Sequence, residues 1–159
     1  MNSARSHGEI IEAIKEFCYN FEESYPNTHE HFQRSLMQLL QSKGCMVNRE
    51  HEILFDCVKV NGDIVRRRGF MDLLAFFKGK KIAVEFDKGN KLKLRNISKL
   101  LQVDADTRIG IVRGNQRYNV WWTNKNRIAY IMRRLRILKK PILLIINSQK
   151  SASWIYPMF

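Results

Sequence analysis

The chain has 159 residues, 45% hydrophobic and 11% aromatic, which suits one domain with a substantial core. Its 28 Lys and Arg against 15 Asp and Glu leave a formal net charge of +13, which points to a polyanionic partner: nucleic acid first, an anionic membrane surface second. Three scattered cysteines, Cys18, Cys45 and Cys57, form no CxxC or Cys/His zinc spacing, the N-terminus MNSARSHGEI has no apolar signal core, and the longest apolar run, Ile142 to Ile146, is too short to cross a bilayer. A reduced, cytoplasmic chain is the simplest expectation.

Glu9 to Glu23 reads as a first helix, with Ile10, Ile14, Phe17 and Phe21 on one stripe and acids crowding the other side. Pro26-Asn27-Thr28 stops and restarts the chain. Asn27 or Thr28 can cap a second helix, His29–Lys43, and Asn27-x-x-Glu30 has capping-box spacing. Phe32, Leu36, Leu39 and Leu40 form its apolar face, and Lys43-Gly44 its end. Three strand-like segments follow. Cys45 to Val60 closes at Asn61-Gly62-Asp63, Ile64 to Phe77 follows, and Lys78-Gly79-Lys80 turns the chain into Lys81 to Asp87. Arg66-Arg67-Arg68 in the second is either a solvated strand end or a phosphate clamp. Asn90 to Val103 is helical in its later part, with Ile97, Leu100 and Leu101 inward, and Arg108 to Val112 is a short strand. Tyr118 to Trp122 is aromatic and β-like. Thr123 or Asn124 caps a long basic helix through Lys139, apolar at Ile128, Ile131, Met132, Leu135 and Leu138; Pro141 ends it, and Ile142 to Ile146 is a last buried strand. The order predicts an α/β protein with a mixed β-sheet flanked by helices, without repeats, low-complexity tracts or linkers.

Three acids interrupt the apolar hairpin. In the third strand Ala83, Glu85 and Asp87 share one face; in the second, Asp72 shares a face with Leu74 and Phe76. A turn that pairs Lys78 with Lys81 places Asp72 opposite Asp87 and Glu85 diagonally across, on one face. Carboxylates that close repel unless a cation joins them, and Mg²⁺ takes oxygen ligands of this kind. Such an ion binds a scissile phosphate and activates water, which would join the basic surface and the acids in one machine. The plain alternative is that Glu85 and Asp87 pair with Lys80, Lys88 or arginines as structural ion pairs.

These residues resemble the PD-(D/E)XK nuclease superfamily. Helix His29–Lys43, three strands over Cys45–Asp87, helix Asn96–Val103 and strand Arg108–Val112 follow its αβββαβ core, so the likeness covers about Asn27 to Arg113. The resemblance implies a restriction-endonuclease-like fold and makes Asp72 in Gly69-Phe-Met-Asp72, and Glu85 in Ile82-Ala-Val-Glu85, metal ligands. The family usually carries Lys two residues after the second acid; this chain has Asp87, taken as a third ligand. Lys88 is adjacent but has the wrong strand parity without a bulge. Lys99 on the following helix is another candidate, as some branches of the superfamily supply the lysine there; for both, the plain alternative is a surface lysine. Glu30 matches the acid that the family often adds from its first core helix, beside its capping role.

Other features are less pointed. His29, His31 and His51 have no metal-like spacing with another ligand and read as surface residues. Arg113-Gly114-Asn115-Gln116-Arg117 is a basic loop that either contacts phosphate or is a solvated turn. Trp121 and Trp122 suit base stacking or core packing, and Lys125–Lys140 carries a basic face able to lie along a nucleic-acid backbone or a membrane. The resulting expectation is a Mg²⁺- or Mn²⁺-dependent DNA endonuclease. It would form one domain over residues 1–159, with a core of about 27–113, helix 9–23 and a C-terminal α/β extension over 118–159 packed on it. Asp72, Glu85 and Asp87 hold the metal, and Lys88, Lys99 and Glu30 assist catalysis. Arg66, Arg67, Arg68, Lys91, Lys93, Arg113 and Arg117 bind DNA. The expected partner is DNA, with no small-molecule cofactor, no membrane and a possible homodimer; the expected origin is prokaryotic, phage or mobile-element. A catalytically inactive nucleic-acid-binding module and a basic interaction protein are the alternatives.

Overall fold

The computed structural model describes residues 4–22, 28–114 and 119–156. Ser6 opens α1, His7–Asn20, by accepting the Glu9 N–H at 3.2 Å. α1 therefore starts earlier than its apolar stripe suggested and stops before Glu23. α2 spans Thr28–Ser42; Asn27, the predicted cap, lies outside the described residues. Glu30 makes an ion pair with Arg34 at 2.7 Å, one turn on along its own helix.

β1, Met46–Val58, and β2, Ile64–Phe77, form a long antiparallel hairpin, and β3, Lys80–Asp87, returns beside β2. α3, Leu94–Gln102, crosses to β4, Thr107–Val112, which lies parallel to β3; α4, Val120–Leu135, crosses to β5, Ile142–Ile146, parallel to β4. β6, Ser151–Ile155, adds an antiparallel edge, completing a six-stranded sheet in the order β1-β2-β3-β4-β5-β6. This is an α/β architecture with a mixed sheet and four helices.

Strand alternation builds two cores. Leu73, Ala75, Phe77, Ile82, Val84 and Phe86 pack with Ile10, Ile14, Leu36 and Leu40 of α1 and α2. Leu74, Ala83, Val112, Leu144 and Ile146 pack with Ile97, Leu100, Ile128 and Met132 of α3 and α4. Each fully buried Leu or Ile contributes about 1.5–3 kcal/mol. The apolar sets β4 and β5 are buried along their whole length, as expected for parallel strands covered on both faces.

Three expectations need correction. Of the strand expected over Tyr118 to Trp122, Tyr118 lies outside the described residues and the rest is not a strand: Val120-Trp121-Trp122 opens α4, because Asn119 accepts the Trp122 N–H at 3.3 Å and the buried positions Val120, Asn124, Ile128 and Met132 recur at helical spacing. Aromatic strand preference gives way to that cap and period. α4 also ends sooner than Lys139, at Arg136, whose φ of 58° is left-handed. Finally, β6 carries a weak alternating signal on an edge strand and was not anticipated. Among the described residues, no helix is long and apolar enough to cross a membrane.

Candidate functional site

The hairpin turn sets the geometry. Lys78 and Gly79 have φ of 46° and 80°, the two left-handed residues of a two-residue hairpin loop, so Phe77 pairs with Lys80. The predicted pairing of Lys78 with Lys81 is thus wrong by two positions in register. A loop with Gly in its second position satisfies the backbone; a Gly79-Lys80 loop would put lysine there. Because the shift is even, every side chain keeps its face. Asp72 comes level with Glu85 rather than Asp87, one step beyond the last pair, Leu73 with Val84.

At that step the sheet forks. β3 continues along β4, with Glu85 beside Gly110 and Asp87 beside Val112, while β2 continues along β1. The Phe86 N–H, left without a β2 ladder partner, donates to Asp72 Oδ2 at 2.8 Å. Across on β1, pairing skips Glu50, between Arg49 with Leu73 and His51 with Met71. Glu50 has a φ of 55°, a conformation that costs a non-glycine residue of order 1–3 kcal/mol. Glu50, Asp72 and Glu85 therefore stand in one transverse row over three strands.

Glu85 is 1% exposed. Lys99 Nζ of α3 stands 2.7 Å from its Oε1 as an ion pair and donates to the Phe70 carbonyl at 2.7 Å. Neither Glu85 oxygen has an aligned hydrogen bond. Burial, then the Asp72 charge, pushes the Glu85 carboxyl well above its usual range, with Lys99 opposing. For Asp72, burial acts upward too. Hydrogen bonds with His29 and the Phe86 N–H, helped by the His29 charge, outweigh it and hold the carboxyl below its ordinary range. The two neighbouring acids are thus pushed in opposite directions, Asp72 downward and Glu85 upward.

α2 secures Asp72 from the opposite layer. His29 Nε2 lies 3.3 Å from Asp72 Oδ1, and its ring stacks on Phe86 with centroids 5.5 Å apart. The bond to Asp72 raises the His29 pKa, against the effect of burial. One turn later Gln33 Nε2 donates to the Asp72 carbonyl at 2.7 Å and to Glu50 Oε1 at 3.1 Å. His29 is therefore a site residue and not a plain surface histidine. Sequence reasoning missed both. Their signal was positional: His29 and Gln33 fall on the stripe that Leu36 and Leu40 continue inward, where polar residues need a reason.

Asp87 stands differently from its expected role. Its Oδ2 accepts the Lys93 N–H and Asn96 Nδ2, both at 2.9 Å. It anchors the start of α3, whose own N-cap Lys93 has no side-chain cap bond. Among the described residues, no group of three or more His, Cys, Asp or Glu is arranged to hold a metal. Asp87 thus gives one oxygen to α3, while Asp72 and Glu85 are the pair that stand level on β2 and β3. Lys99 also departs from the surface alternative: it is 5% exposed.

The fork opens into a cleft of ≈ 810 Å³. Asp72, Glu85, Asp87, Lys88 and Lys99 all line it, and Arg67, Arg68, Lys91, Lys93 and Arg95 make its walls strongly basic. Phe70, 48% exposed, adds an aromatic face. Other predicted residues stand elsewhere. Glu30 is exposed on α2 and outside the lining, Arg66 is paired with Asp56 at 3.3 Å, and exposed Arg113 is not part of the wall. Arg117 lies outside the described residues. Trp121 and Trp122 flank Lys125, whose Nζ stands 4.7 and 4.9 Å from their ring centroids, away from the cleft.

Gly69 explains how Lys99 reaches Glu85. A Cβ at Gly69 would lie 2.9 Å from the Phe55 ring and 3.4 Å from Lys99 Cδ. The lysine stem passes over a bare backbone.

No family model matches the chain, and no curated protein matches it. Among solved structures, a crystal structure of SSO0001 is similar at a TM-score of 0.35 and 14% identity, over 82% of this chain and 50% of that one. This chain thus spans half of that structure's length, and a likeness of this size carries no argument about function.

Proposed function

We propose that the chain is a metal-dependent nuclease that hydrolyses phosphodiester bonds in DNA, built on a restriction-endonuclease-like core. One observation carries the reading: a nearly inaccessible carboxylate, Glu85, is level with a second, Asp72, at the floor of a cleft walled by cations. The order α2-β1-β2-β3-α3-β4 supports it, agreeing with the core that the sequence resembles.

The donor set fits a hard divalent cation. Mg²⁺ commonly takes one or two carboxylates and completes its shell with water; Asp72 and Glu85 supply two, and neither oxygen of Glu85 accepts an aligned hydrogen bond. When bound, Mg²⁺ or Mn²⁺ supplies Lewis acidity toward a phosphate and lowers the pKa of water. The chain's own residues do the rest. Arg67, Arg68, Lys91 and Lys93 hold the phosphate backbone against the cleft wall. Lys99, fixed by the Phe70 carbonyl, presents an ammonium beside Glu85, where it meets negative charge developing on the phosphorus oxygens. His29 and Gln33 position Asp72 through its carboxylate and its carbonyl. Asp87 sets the start of α3 and so the height of Lys99.

A plasmid-nicking assay with Mg²⁺ or Mn²⁺ tests this. Wild type nicks, EDTA stops it, and Asp72→Asn and Glu85→Gln do not nick while still binding DNA. The Lys99–Glu85 pair favours one second reading: the ammonium already neutralises the buried carboxylate, as in a binding module without catalysis. Binding without cleavage by wild type under every metal condition selects that reading.

A further inference from the structure

A second cleft adjoins the first. It also measures ≈ 810 Å³ and is lined by the hairpin loop of β1 and β2, the start of α3, and Arg127 of α4. Arg67, Lys93 and Arg95 line both clefts, so the two form one groove that bends over the N-terminus of α3. Five cations line this second part, Lys59, Arg67, Lys93, Arg95 and Arg127, and no carboxylate does. Arg127 is anchored, its Nε donating to the Leu92 carbonyl at 3.0 Å. Between the cations lie Val60, 92% exposed, and Leu94.

We propose that this groove carries a single strand of nucleic acid leading to or from the Asp72–Glu85 site. The inference rests on the phosphodiesterase reading and specifies its substrate. The chemistry selects the occupant. Cations spaced along a groove follow a phosphate backbone, and apolar patches between them match base faces. In a duplex those faces are covered by stacking, and only an unpaired strand offers them. The α3 N-terminus gives independent support. Its first turn contains no acid, and Lys91, Lys93 and Arg95 cluster there. The Asp87 carboxylate already meets that terminus at the Lys93 N–H, and the three cations around it leave positive charge in excess for an anionic strand.

The test is fluorescence anisotropy in EDTA with labelled oligothymidylate, its oligouridylate counterpart and a blunt DNA duplex of equal length. Wild type binds at least one of the single strands about tenfold more tightly than the duplex. Lys59→Glu and Val60→Asp change exposed hairpin-loop positions, outside the Asp72–Glu85 cleft and both cores. Each weakens single-strand binding roughly five- to tenfold and leaves duplex binding unchanged. Equal affinity for duplex and single strands, or variants that bind like wild type, overturns the proposal. The two readings fail separately. Metal-dependent nicking without a single-strand preference removes the groove and keeps the hydrolase; a single-strand preference lost in both variants, with no cleavage, keeps the groove and removes the hydrolase.

Discussion

The two ends of the parallel β3–β4 pair treat carboxylates in opposite ways. At the N-terminal end, Asp104 is 91% exposed and meets Lys81 Nζ at 2.7 Å, while Asp106 Oδ2 accepts the Lys81 N–H at 2.9 Å. Water shares the work there. At the C-terminal end Glu85 is 1% exposed, lies beside a second acid and is pushed toward its neutral form. The exposed pair at the first end is screened by solvent, and a buried charge at the second is expensive to keep. The end that bears this expense is the one at which β2 leaves β3 and the cleft opens. In open α/β sheets ligands bind outside the carboxyl ends of parallel strands, where neighbouring connections diverge. The fork has that position, and its pKa perturbations have the physical cause expected of a working site.

The comparison breaks most decisively at the carboxylates. Asp72→Asn and Glu85→Gln each lower metal-dependent nicking by more than about a hundredfold, above the range for residues that only support a ligand, whereas Asp104→Asn nicks like wild type. An Asp104 variant as defective as Glu85→Gln would erase the distinction between the two ends.

Lysines sharpen it next. Lys99→Met removes the donor beside Glu85 and lowers nicking by about 10²–10³-fold. It also leaves a buried acid with one partner fewer, and denaturant unfolding shows a loss of about 3 kcal/mol. Lys81→Met at the other end leaves the nicking rate unchanged. Gly69→Ala follows, with a smaller effect. A methyl group 2.9 Å from Phe55 and 3.4 Å from the Lys99 stem has no room. Overpacking of about 1–3 kcal/mol and a shifted ammonium lower stability and cleavage together, and Gly79→Ala is no control because Gly79 is itself left-handed, at φ 80°.

What the sequence made legible follows from periodicity. Alternation put Asp72 and Glu85 on one face, and that conclusion survived a register error because the error was even. The same alternation put Asp87 with them. It could not show that two further residues along β3 carry Asp87 to the start of α3, where Lys93 and Asn96 take one of its oxygens. The partners of His29 and Gln33 were illegible for a different reason. Their contacts cross from one layer to another, from α2 to β2, and no local pattern encodes such a distance. Lys99 lies in a run of buried α3 residues, Asn96 to Leu101, but off the apolar stripe of Ile97, Leu100 and Leu101, so the pattern alone reads it as outward. Composition favoured a polyanionic partner but could not say that Arg66 and Arg68 would meet Asp56 and Glu52 across the hairpin, at 3.3 and 2.9 Å.

The smallest effect concerns how α2 holds Asp72, and its pH dependence has a definite sign. His29 has a folded pKa above its ordinary 6.5, so its contribution is complete below 6.5 and is lost as pH rises through the folded value. Asp72 has a folded pKa below its ordinary 3.8, so its contribution is present above 3.8 and is lost as pH falls through the folded value. Both charges are therefore in place in a window from about pH 4 to 6.5. With the His29 side chain 37% exposed, solvent screens the pair, and its worth is at most about 1 kcal/mol. In metal-free buffer, His29→Gln lowers Tm most within that window, and the difference from wild type shrinks at alkaline pH as the native imidazole loses its proton. A Tm difference that instead grows with alkalinity would mean that the ring is held by its stacking on Phe86 and the bond from neutral imidazole, and that Asp72 draws its charge stabilisation from elsewhere in the fork.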